Sequence, residues 1–269
     1  MNYDYPNICI ITLDSLRYDI AIKSYKTGKT SNIARYGKWE KCQAHGDNTL
    51  PSHVALFQGG QVPYSLEKGN KYYFETFRFF KPELNWDRKK EAVYLLPEAD
   101  SIPKSFELLG YETIGIGGVD WFNSNHLTSK SLWFPHSDYN DFYLYFKQFY
   151  WYPHFNQNEK ESFRNQLKLC KRLDLDQYER LFFFINISST HIPYHRGGGG
   201  LQGQKAELEY FDFLFPKLVE LMPKPCHFLV MSDHGTCFGD DDLWGHGFGH
   251  PKVWEVPVLD FRILGNICN

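Results

Sequence analysis

No stretch of this 269-residue chain is apolar for long enough to cross a bilayer. The longest such runs, Leu181 to Ile185 and Ile8 to Leu13, fall far short of the roughly 20 residues that a spanning helix needs. The opening MNYDYPN has no basic stretch followed by an apolar one, so a secretory leader is not expected. No pair of the six cysteines (Cys9, Cys42, Cys170, Cys226, Cys237 and Cys268) has CxxC spacing, and several lie in apolar runs. Free, buried thiols in a reducing compartment are the plainest expectation, and with the missing leader they point to the cytoplasm. Nor is there a basic excess: 29 Lys and Arg against 32 Asp and Glu leave a formal charge of −3. That excludes the electrostatic footprint of a nucleic-acid or anionic-membrane partner. No internal repeat and no linker are visible. The four glycines Gly197 to Gly200 are the only low-complexity tract and are expected to form a mobile loop. A single domain over residues 1–269 follows as the expectation; a homo-oligomer is left open.

What is present is a core's worth of apolar residues, 42% of the chain. Short continuous apolar runs at Asn7 to Leu13, Tyr111 to Ile116, Leu181 to Ile187, His227 to Met231 and near Val256 to Leu264 read as strands buried on both faces. Between them, Ile102 to Leu109, Glu159 to Arg172 and Lys205 to Met222 have helical patterning. This alternation predicts an α/β fold, with a mostly parallel central sheet and helices on both faces. Aromatics make up 18% of the chain and concentrate in Lys68 to Arg88 and Leu132 to Phe155. These two segments are expected to fold over the sheet as insertions, the second as structural cover, as a lid or as a docking patch.

Open α/β sheets bind their ligands beyond the carboxyl ends of strands. The first strand ends in Asp14, the third runs into Ser188-Ser189-Thr190-His191, and the fourth ends in Ser232-Asp233-His234-Gly235. Each has a bland reading: Asp14 as a helix cap, Asp233-His234-Gly235 as a turn. Together they bring carboxylate and imidazole to one sheet edge. That donor set suits zinc or manganese better than calcium, which prefers an all-oxygen shell.

The motifs themselves resemble a family. Ile11 to Asp19 (ITLDSLRYD) is similar to the opening strand of the sulfatase branch of the alkaline phosphatase superfamily, where a strand-end carboxylate binds metal. Thr49-Leu50-Pro51-Ser52-His53 resembles that branch's nucleophile motif, Cys or Ser followed by x-Pro-Ser-Arg. Ser188 to Tyr194 looks like its His-x-Pro loop. Ser232 to Gly235, then Leu243 to Gly247 and Val256-Pro257, look like its late metal motif and following strand. The blocks occur in family order from about residue 7 to residue 264.

The resemblance implies a metal-dependent hydrolase acting on a small-molecule ester. Asp14, Thr49, Asp233 and His234 would hold one divalent ion, and Thr49 would be the nucleophile. It also implies departures. Thr49 cannot become the formylglycine of true sulfatases, which favours phosphoester or phosphonate chemistry through a phospho-threonine. His53 stands at the sulfatase arginine position and is carried over as substrate-binding, with Arg17 as a second candidate whose alternative is a salt bridge. The Asp that phosphodiesterases place four residues before the His191 position is Ile187 here. His191 and His246 are therefore read as catalytic and phosphate-binding, with a second metal ion left open. A sulfatase-like hydrolase of another ester, or a degenerate member that binds without turnover, are the alternatives.

Overall fold

The computed structural model describes residues 6–59, 101–123 and 141–265. The segment Lys68 to Arg88, residues 132–140 of the second aromatic segment, and Cys268 lie outside them. At the centre is β1 (Asn7–Leu13), flanked by β5 (Leu181–Ile187) and β6 (Cys226–Met231), both parallel to it. Beyond β5 come β3 (Glu112–Ile116) and the three-residue β4 (Gln148–Tyr150), also parallel. Beyond β6, β9 (Glu255–Ile263) runs antiparallel and carries β2 (Glu40–Gln43) on its outer edge. The sheet is thus mostly parallel, as the run of apolar segments predicts.

Side chains alternate across this sheet. Cys9, Ile11 and Leu13 enter one layer with Leu181, Phe183, Ile185 and Ile187, under α1 (Tyr18–Lys26), α4 (Ser162–Leu173) and α5 (Gly200–Leu221). Ile10, Phe182 and Phe184 enter the other, under α2 (Thr49–Gln58) and α3 (Ile102–Leu108). Phe142, Tyr145 and Phe146 complete that second layer against Phe57, so these residues of the second aromatic segment are core, whereas Leu144 and Tyr152 are exposed.

Two helix details show how local sequence is reconciled with packing. Pro216 lies inside α5 and cannot donate to the Asp212 carbonyl; Asn32 Nδ2 supplies that bond at 3.2 Å. The glycine tract is not wholly a loop, because Gly200 already begins α5. One turn on, any Cβ at Gly203 would lie 2.2 Å from the Gly198 carbonyl oxygen.

Register fixes the site's location. Leu13 pairs with Ile187, and Thr12 with Met231. The residues that follow, Asp14, Ser188 and Ser232, therefore emerge together at one edge. Past β6, the chain makes the hairpin β7 (Cys237–Asp240) and β8 (Leu243–Gly245), whose turn holds Asp241 and Asp242 at positive φ. The four-residue helix α6 (Pro251–Trp254) then leads into β9.

Candidate metal and nucleophile site

Asp14 is fully buried just past β1, and its backbone N–H donates to the Ile187 carbonyl at 3.0 Å. Ser15 follows with φ +62, a left-handed conformation that costs a non-glycine residue energy. The turn aims both Ser15 donors at the carboxylates: Oγ at Asp14 Oδ1 (2.9 Å), N–H at Asp233 Oδ1 (3.1 Å). On the next strand over, Asp233-His234-Gly235 is pressed against α6. The Gly235 N–H donates to the Val253 carbonyl at 2.7 Å, and a Cβ at Gly235 would lie 2.0 Å from the Lys252 carbonyl oxygen.

His234 is wholly buried, and burial lowers its pKa to about 4, leaving a neutral ring. Its Nδ1 lies 2.8 Å from the Gly235 carbonyl, which can only accept, so the ring hydrogen is on Nδ1. The bare Nε2 faces Asp233 Oδ2 at 3.5 Å, Asp14 Oδ1 at 3.9 Å and Thr49 Oγ1 at 3.3 Å. Asp233 Oδ2 is buried without any hydrogen-bond partner, and burial together with the neighbouring Asp14 raises its carboxyl well above the usual range. One ligand atom each from Asp14, Asp233 and His234 falls within 4.8 Å of the other two. A converging set of acceptors with an orphaned carboxylate oxygen fits a divalent cation. The Nδ1–H bond to the Gly235 carbonyl fixes the His234 ring and its tautomer, as metal-binding imidazoles require.

Thr49 opens α2 with its Oγ1 3.4 Å from Asp14 Oδ2. Thr49 is the first helical residue and Pro51 the third. The missing Pro51 N–H still falls in the first turn, where it has no helical acceptor to lose.

His191 and His246 do come to this site. Their ring centroids are 5.5 Å apart, and His246 lies 4.4 Å from His234. His191 Nδ1–H donates to the Ile192 carbonyl, leaving Nε2 free. His246 Nδ1 is buried without a partner, and burial, then the two neighbouring imidazoles, hold that ring neutral. Ile187 packs into the core layer under α5, so that position offers nothing to a second ion. His250 cannot replace His246: it caps α6, its Nδ1 accepting the Lys252 N–H at 3.0 Å.

Two expected substrate-binding residues are not free to act as such. Arg17 is 3% exposed and forms fork-like pairs with Asp19 (2.7 and 2.9 Å) and Asp240 (2.7 and 3.2 Å). It ties α1 to the hairpin, its salt-bridge alternative. His53 is completely buried, with Nδ1–H donating to the Thr49 carbonyl at 2.8 Å and Nε2 accepting the Thr12 hydroxyl at 3.0 Å. Both its nitrogens are used, so it supports the nucleophile from behind. Sequence reasoning missed Thr12, Ser15 and Asn186. Thr12 and Asn186 had a readable signal: each is a lone polar residue near the end of an apolar strand.

No protein-family model matches the sequence, and no curated protein matches it significantly. Solved structures do match. The C-terminal periplasmic domain of EcEptC from Escherichia coli in complex with Zn is 13% identical, with a TM-score of 0.56 over 96% of this chain and 73% of that one. A protein in the alkaline phosphatase superfamily from Vibrio parahaemolyticus is 17% identical, with a TM-score of 0.55 over 96% of this chain and 60% of that one. The soluble domain of lipooligosaccharide phosphoethanolamine transferase A from Neisseria meningitidis is 11% identical, with a TM-score of 0.59 over 97% and 78%. The chain has the alkaline phosphatase superfamily fold.

These neighbours overturn the cytoplasmic expectation, because several are periplasmic domains. The thiols gave a misleading signal for a physical reason. Cys9, Cys170, Cys226 and Cys237 are buried, and burial pushes Cys170 and Cys226 up to about 12 and Cys237 to about 11. Thiols so shielded are poor nucleophiles and react slowly. Cys42, expected to be buried, is exposed on β2.

Proposed function

We propose that this chain is a metal-dependent enzyme that transfers or hydrolyses a phosphoester, with Thr49 as its nucleophile. One observation carries the reading: Thr49 Oγ1 lies inside the acceptor cage, 3.4 Å from Asp14 Oδ2 and 3.3 Å from the bare Nε2 of His234. A structural threonine at a helix start would need no cage of buried acids. The solved neighbours with this fold include phosphoethanolamine transferases, one of them in complex with Zn, which supports the same chemistry.

Asp14, Asp233, His234 and Thr49 would hold the ion. When bound, a divalent ion lowers the pKa of a ligated hydroxyl and offsets charge on a phosphoryl oxygen. The chain's own residues do the rest. Asp14 and His234 orient the Thr49 Oγ1 for in-line attack: its hydrogen, directed at Asp14 Oδ2, would leave by way of that carboxylate as the Oγ1–P bond forms, and the ester oxygen departs with a proton from His191 or His246. His191 and His246 lie side by side at the site; once its Nε2 also carries a proton, His191 would donate to an equatorial phosphoryl oxygen or to the leaving oxygen, and His246 is placed to share that role. Water or an acceptor alcohol then takes the phosphoryl group from Thr49. The test is Thr49→Ala on aryl phosphate mono- and diesters: turnover is expected to vanish with folding intact. Turnover at the wild-type rate would end the nucleophile assignment.

A further inference from the structure

Behind the nucleophile lies a closed circuit of hydrogen bonds that the proposed chemistry does not itself use. Asn186 Nδ2 donates to Thr12 Oγ1 at 3.0 Å. Thr12 Oγ1–H donates to His53 Nε2 at 3.0 Å, and His53 Nδ1–H donates to the Thr49 carbonyl at 2.8 Å. From Thr49 the circuit closes through Oγ1 on Asp14 Oδ2 at 3.4 Å, which Asn186 Nδ2 also reaches at 3.4 Å. Asn186 is anchored in turn: its Oδ1 accepts the Val119 N–H at 3.2 Å, and its own carbonyl accepts Gln166 Nε2–H at 2.8 Å.

Donors and acceptors permit one direction only. The Thr49 carbonyl cannot donate, so His53 carries its hydrogen on Nδ1 and must accept on Nε2. The Thr12 hydroxyl must then donate to His53, and its lone pair takes the Asn186 amide. Three of these residues are fully buried, on three different elements: Thr12 on β1, His53 on α2, Asn186 on β5. The imidazole is clamped further by edge-on packing against Phe122 and Phe184, with ring centroids at 4.9 and 5.7 Å. The circuit also makes good a local deficiency, because Asn48 gives α2 no side-chain cap. Without the circuit, the first turn that carries Thr49 would be the loosest part of the helix.

We infer that Thr12, His53 and Asn186 are positioning residues that hold the Thr49 backbone and the Asp14 carboxylate in fixed relation, so that Oγ1 stays aimed at the reacting atom. The inference rests on the reading of Thr49 as nucleophile. A hydroxyl held through its own main chain keeps its aim without any of the three touching substrate. Displacing a nucleophile by about an ångström costs up to roughly a hundredfold in rate while leaving substrate binding largely alone.

The test uses the near-isosteric Thr12→Val, which removes the central hydroxyl, with Thr12→Ser as the conservative control and Thr49→Ala in parallel. Thr12→Val is expected to lower kcat by roughly tenfold to a hundredfold, with KM and metal content unchanged. Thr12→Ser is expected to restore most of the rate. In the metal-loaded wild type, ¹⁵N NMR at one fixed pH is expected to show His53 as the Nδ1–H tautomer, with that hydrogen slow to exchange. In Thr12→Val its exchange is expected to accelerate. A Thr12→Val kcat within about twofold of wild type, or an equal loss in Thr12→Ser, overturns the positioning role. So does an Nε2–H tautomer. If Thr49→Ala keeps wild-type turnover, the nucleophile reading has failed instead, and the tautomer and exchange data still decide the circuit.

Discussion

The Nε2 of His234 and the Oδ2 of Asp233 face each other at 3.5 Å with no hydrogen bond between them. The imidazole hydrogen is committed to the Gly235 carbonyl on the far side of the ring. Such a contact between Asp233 and His234 is unfavourable unless a proton or a cation lies between the two groups, and burial with the neighbouring Asp14 accordingly raises the Asp233 carboxyl. Stability is given up here for the sake of a binding site.

Asp233→Asn therefore separates binding from stability. In metal-stripped protein, the new amide can donate to His234 Nε2, while the carbonyl keeps the bonds that Oδ1 accepts from the Ser15 and His234 N–H groups. The variant should be more stable than stripped wild type by about 1–3 kcal/mol in urea unfolding. With zinc or manganese added, the order should reverse. Metal at about a hundred times its Kd would stabilise wild type by about 2.7 kcal/mol and the variant hardly at all.

His191 and His246 are predicted to serve the phosphoryl group. Replacing either by Ala should cost roughly a hundredfold to ten-thousandfold in kcat while the metal content per chain holds. Loss of metal along with rate would instead make these rings ligands of a second ion. Elemental analysis beside steady-state kinetics distinguishes the two.

Arg17→Ala should behave as a stability variant. Breaking a buried ion pair commonly costs about 3–5 kcal/mol, and the lower end applies because Asp19 and Asp240 stay partly in water. Chemical denaturation should show the loss. KM for an aryl phosphate should be unchanged, whereas a large rise in KM would return Arg17 to the substrate site.

The same network sets an acid limit. Burial raises the Asp19 pKa, but bonds from Arg17 and Lys252 outweigh it and bring the group down to about 2. A carboxylate depressed in the folded state stabilises above its unfolded value and loses that contribution as pH falls through the folded one. Asp19 should thus support the fold down to about pH 4 and lose its contribution between about 4 and 2. Asp19→Asn should flatten the stability–pH curve in that window, and an unchanged curve would contradict this.

The sequence already carried the strand ends that deliver Asp14, Asp233 and His234, because strands buried on both faces read as unbroken apolar runs. It did not carry β2, whose four residues are all exposed, or the three-residue β4. Neither has an apolar pattern to betray it. For Arg17 and His53, residue type and motif position show that a side chain can bind phosphate, but not that its donors already have partners in the fold. Arg17 meets Asp240 across 223 residues of sequence, and His53 meets Thr12 across 41. Only the fold brings such partners together.

The most direct test of the account is elemental analysis of the purified protein beside an Asp233→Ala, His234→Ala double variant. The account predicts about one zinc or manganese per chain in the wild type and none in the variant. Equal metal in both proteins, or none in either after incubation with zinc or manganese, would contradict it.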